Sequence, residues 1–312
     1  MPITGRVAAP STYEPGSVYT RVEDAVKDTY IRALKVFPPD LKAAIARARQ
    51  TETSPTGIDI IDVMLETIDV AEEDDNLVCQ DTGTIVYWVE AGEDSPLNLA
   101  RLTAAIRRGT ERATVEHPLR SNSVHPLTRQ NTQTNCGRLY PVMHYEFVPG
   151  DDVVVHCLPK GSGCENMSFL RMLVPADGVA GIKRFVLECV VEAAGKPCLP
   201  NVCGVGIGGS ADLAATLAKR ALFRPIGSHN EDPVVAELEG ELLELANELG
   251  LGPMGLGGDV TLFSVQIEHA HTHITQNPVA VCMECWNARQ ASLRVDAAGK
   301  IVADPGAEEV RS

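Results

Sequence analysis

The chain has 312 residues, which is long enough to bury a substantial core. Lys and Arg number 27 against 42 Asp and Glu, so the formal net charge is -15. This balance argues against nucleic-acid binding, because phosphate contacts need clustered basic side chains. No segment approaches the roughly 18 apolar residues of a membrane span, and the first residues lack the apolar stretch of a signal peptide. We therefore expect a cytoplasmic protein that binds neither nucleic acid nor a membrane.

Nine cysteines are spread along the chain in apolar or glycine-rich surroundings. An odd number without small-scaffold spacing favours a reducing compartment over a disulfide framework. Most cysteines in such a compartment are simply small buried hydrophobic residues. A functional role for any one of them therefore needs support from its neighbours.

The first third of the chain is predicted to be largely helical. Apolar periodicity over residues 22–37, 38–50 and 58–73 predicts three helices. Residues 84–92 follow a glycine turn with a run of β-branched and aromatic residues, which predicts a strand. Residues 97–116 return to helical periodicity.

A long polar loop is predicted over residues 117–137, and residues 141–159 alternate around a Pro-Gly-Asp turn, which predicts a β-hairpin. Helices are predicted over residues 179–195 and 232–250. A strand-loop-helix unit lies between them in the chain, and a final strand pair follows. No linker separates two folding units. We predict a mixed α+β (α/β) fold in a single domain over residues 1–312.

The glycine run GVGIGG places Gly204, Gly206 and Gly209 in the pattern of a dinucleotide-binding turn. That site needs an acidic residue at the end of a second strand about 20 residues later. The sequence there reads as a loop, ALFRPIGSHNEDP. Nucleotide binding is therefore disfavoured, and crowding of the backbone explains the glycines equally well.

Cys282 and Cys285 form a C-x-x-C pair without a second zinc half-site. A redox pair is also disfavoured, because the residues before Cys285 have the pattern of a strand. Two other cysteines, Cys79 and Cys198, lie in polar, glycine-rich loops that a cofactor could approach closely. Three thiolates are what a [4Fe-4S] cluster needs if its fourth iron is to stay open as a Lewis acid.

Six motifs occur in order between about Asp24 and Leu293: CQDTGT, LRxxxVxPLTRxNT, KGxGxENMS, PCxPxxxGVGIGG, LGxGPxGLGG and THIxxxPVAVxxxCxxAR. With these motifs the chain resembles the α-subunit of the class I, iron-sulfur-dependent fumarate hydratases and the related L(+)-tartrate dehydratases. The resemblance implies that loops hold the cluster. It also implies three parts: a helical N-terminal layer to about residue 75, a cluster- and substrate-binding part over 76–293, and a C-terminal tail over 294–312.

The same resemblance implies the site residues. The metal ligands would be Cys79, Cys198 and Cys285, and the catalytic residues would be Asp81 and His273. Substrate-binding residues would be Gln80, Arg120 and Gly163. Each polar residue also has a plain structural interpretation: Asp81 as a turn cap, Arg120 in a surface ion pair, and His273 as a strand histidine.

Dehydration of a 2-hydroxy diacid must remove hydroxide, a poor leaving group, and must also remove a proton from a weakly acidic carbon. A Lewis acid would assist departure of the hydroxide, and a general base would accept the proton. Arg120 offers a fork for a carboxylate. The resemblance implies a hydro-lyase that most closely fits conversion of (S)-malate to fumarate. The alternative is dehydration of L(+)-tartrate to oxaloacetate. A more distant alternative is an electron-transfer or sensor protein, with Cys164 or Cys282 as a fourth ligand.

Two loops depart from the family pattern, at Cys164 in the KGSG turn and at Gln133 after Asn131-Thr132. These departures leave the substrate open. Long relatives continue into a further domain that supplies a base and more substrate contacts. The resemblance therefore implies a separate β-subunit as partner, a dicarboxylate substrate, and αβ pairs that dimerise.

Overall fold

The computed structural model describes residues 12–304. Helices in this part of the chain run over Val18–Lys35 (α1), Pro39–Thr51 (α2), Pro55–Glu73 (α3), Leu99–Glu116 (α4), Ser162–Glu165 (α5), Gly178–Ala193 (α6), Ala211–Ala221 (α7) and Pro233–Glu248 (α8). Strands run over Thr84–Gly92 (β1), Val142–Val148 (β2), Val153–Lys160 (β3), Ser168–Leu173 (β4), Asn201–Gly208 (β5), Leu262–Ala270 (β6), Asn277–Met283 (β7), Ala291–Val295 (β8) and Ile301–Ala303 (β9). The predicted mixed α+β class is confirmed.

Local sequence explains where several helices begin. α2, α3 and α8 each begin at a proline, which loses no hydrogen bond at the first helical position. Side chains at the preceding residues accept from backbone N–H groups near the helix start: Ser54 from Gly57, Asn98 from Arg101 and Asp232 from Val234. The predicted helices over 22–37, 38–50, 58–73, 97–116, 179–195 and 232–250 are all present.

The described chain divides into two compact units. Unit 1 consists of residues 12–36, 79–159 and 289–304, and unit 2 consists of residues 37–78 and 160–288. The predicted N-terminal helices are shared between them, with α1 in unit 1 and α2 and α3 in unit 2. The prediction of a single folding domain stays a prediction.

Unit 1 contains a mixed five-stranded sheet in the order β2-β1-β3-β8-β9. β1 is parallel to β2, with Val86 opposite Val142, whereas β8 is antiparallel to β3 and to β9. Side chains of β1 are buried on both faces, as its apolar run requires. α1 and α4 pack against each other, and both bury their apolar faces.

The hairpin predicted over residues 141–159 is wrong. β2 and β3 follow each other in the chain, but β1 lies between them in the sheet. β1 takes the position between β2 and β3 because its residues from Ile85 to Val89 are almost fully buried, whereas those of β2 remain partly exposed. A short turn predicts a hairpin only when no other strand competes for the position between its arms.

Unit 2 contains a second mixed sheet in the order β4-β7-β5-β6. β5 is parallel to β6 and antiparallel to β7, and β4 is antiparallel to β7. One face of this sheet buries Cys203, Val205, Val281 and Met283 against α6 and α8. α7 packs closely against β5 and β7.

The glycine run GVGIGG is explained by the approach of α7 to β5. A Cβ atom at Gly204 would lie 2.2 Å from the carbonyl oxygen of Ala218, and one at Gly206 would lie 1.9 Å from that of Ala214. No real side chain tolerates such contacts with backbone. The expected backbone crowding is therefore present, and the helix α7 causes it.

Part of the predicted C-terminal tail forms regular structure. Residues 301–303, within the predicted C-terminal tail, form β9 and pair with β8. Residues 1–11 and 305–312 lie outside the described residues.

Over residues 12–304, no helix combines the length and the apolar character needed to cross a membrane.

Substitution of Gly206 by Ala should lower the free energy of unfolding by at least about 2 kcal/mol, because the added methyl group must displace α7 from β5. Gly240 provides a matched control: it lies within α8, and nothing approaches a Cβ built there within 4 Å. Gly240→Ala should instead stabilise by about 0.5–1 kcal/mol. Urea unfolding of the two variants checks this, and equal midpoints would contradict the packing argument.

Candidate functional site

In unit 1, the predicted residues Cys79, Gln80 and Asp81 lie on the loop that enters β1. Cys79 and Gln80 are exposed, and Cys79 Sγ accepts a hydrogen bond of 3.4 Å from the backbone N–H of Asp81. Asp81 Oδ1 accepts from the backbone N–H of Gly83 at 2.9 Å and from Asn122 Nδ2 at 3.0 Å. The Asp81 carboxylate is therefore held in one orientation beside the exposed thiol.

A buried asparagine holds the loop that carries Arg120, and Thr82 joins that loop to the Asp81 loop. Asn135 Oδ1 accepts from the backbone N–H groups of Asn122 and Ser123, at 2.7 and 3.2 Å. Its Nδ2 donates to the carbonyl oxygen of Arg120 at 3.1 Å, and Thr82 Oγ1 donates to the same oxygen at 2.7 Å. Asp81 and the Arg120 backbone are thus brought together within unit 1, with the Arg120 residue exposed.

Arg289 also supports the Asp81 loop. Its buried side chain donates from Nη2 to the carbonyl oxygens of Asp81, at 2.9 Å, and Pro159, at 3.4 Å. The sequence motifs predicted neither Arg289 nor the two asparagines Asn122 and Asn135 as site residues. The density of asparagine in the loop over 117–137 was the available indication.

In unit 2, Cys198 and Cys285 are brought to the same end of the sheet. β5 and β7 are antiparallel, so the residues before β5 and those after β7 are neighbours. The backbone N–H of Trp286 donates to the carbonyl oxygen of Cys198 at 3.0 Å. Cys198 has φ of 55°, a left-handed conformation that costs a non-glycine residue free energy and is often kept at functional sites.

Ligand atoms of Cys164, Glu284 and Cys285 lie within 4.8 Å of one another in unit 2. The buried Cys164 thiol donates to the carbonyl oxygen of Pro197 at 3.4 Å, next to Cys198. Its hydrogen bond with Cys285, together with burial, raises the pKa of the Cys164 thiol far above its usual range. Cys164 therefore behaves as a neutral thiol between two predicted ligand cysteines.

Lys160 brings a buried positive charge to the same region. Its fully buried Nζ lies 3.3 Å from Glu165 Oε2, and Lys219 Nζ lies 2.5 Å from Glu165 Oε1. Burial opposes the charge of Lys160, but the facing Cys282, Glu284 and Glu165 outweigh burial and raise its pKa above the usual value. The two lysines outweigh the effect of burial on Glu165 and lower its pKa.

Gly163 and His273 are the other predicted residues of unit 2. Gly163 lies in α5, is exposed, and precedes Cys164 directly. His273 lies before β7, where Nδ1 is 2.9 Å from Thr275 Oγ1, while Cys285 follows β7. Seven residues of extended strand separate the two ends by about 20 Å. Within this chain, His273 therefore lies at the far end of β7 from Cys285, and its catalytic role stays a prediction.

The donor set suits an iron-sulfur group. Cys79, Cys198 and Cys285 form no disulfide and are exposed or half-buried, whereas Cys157, Cys203 and Cys282 are buried. Thiolates are the usual ligands of iron-sulfur clusters. The fully buried Lys160 Nζ has no hydrogen-bond partner among the described residues, which fits a site that receives an anionic group.

Substitution of Asn135 by Ala should cost about 1–3 kcal/mol of stability, because its bonds to residues 120 and 122 of the same loop are lost and buried groups remain unsatisfied. Amide exchange at Asn122 and Ser123 should become faster. The exposed Asn166 gives a control, and Asn166→Ala should change neither property. Hydrogen exchange with mass spectrometry measures the loops directly. Unchanged protection in Asn135→Ala would show that Asn135 does not hold them.

Comparison with known proteins supports the family indicated by the motifs. The fumarate hydratase (Fumerase) family model matches residues 23–294. A Methanocaldococcus jannaschii protein, provisionally named L(+)-tartrate dehydratase subunit alpha, is 42% identical over 284 residues, which cover 90% of this chain and all of that protein. The L(+)-tartrate dehydratase subunit alpha of Escherichia coli strain K12 and that of Shigella sonnei are each 36% identical over 262 residues, or 84% of this chain and 86% of each relative. The predicted resemblance is confirmed: this chain belongs to the fumarate hydratase (Fumerase) family of hydro-lyases.

Proposed function

We propose that this chain is the α-subunit of an L(+)-tartrate dehydratase that converts L(+)-tartrate to oxaloacetate and water. The observation that carries the site is the pairing of β5 with β7, which brings the loops of Cys198 and Cys285 together. The choice of substrate follows the names of the similar proteins, which favour tartrate over malate. We propose Cys79, on the loop that enters β1, as the third ligand.

A [4Fe-4S] cluster held by three cysteines would supply a Lewis acid for departure of the hydroxyl group. In the proposed site, the exposed guanidinium of Arg120 binds a substrate carboxylate through paired N–H groups. The oriented Asp81 carboxylate accepts a hydrogen bond from the substrate hydroxyl, while Gln80 and Gly163 add polar contacts. Asn122 and Arg289 act by positioning Asp81.

We keep His273 as a proposed catalytic residue on the family resemblance. The structure of one chain places it at the far end of β7 from Cys285, so its contact with substrate needs a test of its own. His273→Asn in the assembled enzyme should lower kcat and leave iron content unchanged. Unchanged steady-state kinetics would remove His273 from the site.

We propose that the active site is completed by a β-subunit, since the similar proteins are named as alpha subunits. The purified chain should bind iron and sulfide but turn over little substrate. Adding the β-subunit should produce oxaloacetate from L(+)-tartrate at a higher kcat/KM than fumarate from (S)-malate. Full activity of this chain alone would contradict the shared site, and a preference for malate would contradict the substrate.

A second candidate is the interconversion of (S)-malate and fumarate. It is favoured by the description of the matching family. Both reactions remove water from a 2-hydroxy dicarboxylate. Only the second hydroxyl group of tartrate distinguishes the substrates. The same assay with malate, fumarate and both tartrate enantiomers separates the two candidates.

The cysteines provide a test of the cluster that does not depend on turnover. Serine in place of Cys79, Cys198 or Cys285 should abolish or severely reduce anaerobic iron and sulfide content. Cys164→Ser and Cys282→Ser serve as matched controls, and both should retain the cluster. Loss of the cluster in either control would favour four cysteine ligands, as in an electron-transfer or sensor protein.

A further inference from the structure

Lys160 has an unusual position for a lysine. It is the last residue of β3, its side chain is fully buried, and it precedes Gly161. Moving an ammonium group out of water costs several kcal/mol unless charged partners and hydrogen bonds compensate. A buried lysine therefore needs a reason, and the proposed reaction has so far given it none.

The obvious partner, Glu165, does not account for this lysine by itself. Lys219 already pairs with Glu165 Oε1 at 2.5 Å from a partly exposed position. Lys160 Nζ lies 3.3 Å from Oε2, but the contact lacks the geometry of a hydrogen bond, and no acceptor among the described residues provides one. An ammonium group with three donors is thus buried without a hydrogen bond.

The surroundings of Lys160 are rich in sulfur and carboxylate groups. Cys282, Glu284 and Cys164 all interact with it electrostatically. A Cβ built on the adjacent Gly161 would lie 3.4 Å from Cys164 Sγ and 3.7 Å from Cys285 Sγ. The backbone that carries Lys160 therefore passes directly beside the thiol proposed to hold the cluster.

We propose that Lys160 is the buried counter-charge of the iron-sulfur cluster, a positioning residue that stabilises the negative charge of the thiolate-bound cofactor. The inference rests on the proposed cluster site and adds a residue to it. A positive charge in a water-poor environment interacts strongly with the cluster because little solvent screens it. Hydrogen bonds and net charge near the sulfur atoms are general determinants of cluster potential.

The test uses the full chain, reconstituted anaerobically with iron and sulfide. Lys160→Met removes the charge, Lys160→Arg keeps it, and Lys219→Met removes the more exposed charge from the same carboxylate. Spectroelectrochemical titration gives the midpoint potential of each cluster. Loss of a nearby positive charge disfavours the more negative reduced state. Lys160→Met should therefore shift the potential to more negative values, or lose the cluster. Lys160→Arg should keep the native midpoint potential, and Lys219→Met should shift the potential less than Lys160→Met does.

The stability of the cluster-free chain completes the test. Lys219 still pairs with Glu165 in Lys160→Met, so this variant should remain folded by circular dichroism before reconstitution. A cluster potential like that of the native chain, or a shift no larger than in Lys219→Met, would overturn the proposal. So would an unfolded cluster-free Lys160→Met chain, because the lysine would then serve the fold. A native chain that binds no cluster would instead defeat the proposed function.

Discussion

The candidate site depends on the antiparallel pairing of β5 with β7. Pairing of Cys203 with Met283 and of Ile207 with Val279 makes the residues before one strand neighbours of those after the other. This register places the loops of Cys198 and Cys285 at one end of the unit 2 sheet, where the Trp286 N–H meets the Cys198 carbonyl. A shift by one residue would turn every side chain of the strand to the opposite face. The close fit of α7 on Gly204 and Gly206 supports this register from one face.

The two units contribute different chemistry. Unit 1 supplies exposed polar groups on loops, and a buried asparagine and arginine fix the backbone beneath them. Unit 2 supplies a sulfur-rich region with a buried ammonium group. Residues that touch nothing reactive, such as Asn135, then matter because they remove freedom from residues that do.

Much of this could be predicted from sequence because the predictive features are local. Helix periodicity and proline positions gave the helices, and residues 277–283 already had the pattern of a buried strand. The motifs gave the family and the three cysteines. The features that could not be predicted from the sequence depend on the order of the strands in the sheets. β1 lies between β2 and β3 although they are adjacent in the chain, and β7 places His273 and Cys285 beyond opposite ends of one strand. Asn135 and Lys160 were missed because burial and partners, not residue type, make them important.

In the proposed site, three cysteines of this chain hold a [4Fe-4S] cluster whose remaining iron is open to substrate. Mössbauer spectroscopy of the anaerobically reconstituted chain, with and without L(+)-tartrate, tests this arrangement. We expect the spectrum of a single iron to change when tartrate is added while the other three stay the same. If the spectra of all four irons stay the same on addition of tartrate, in the chain alone and in its complex with a β-subunit, the proposal of an open iron is contradicted.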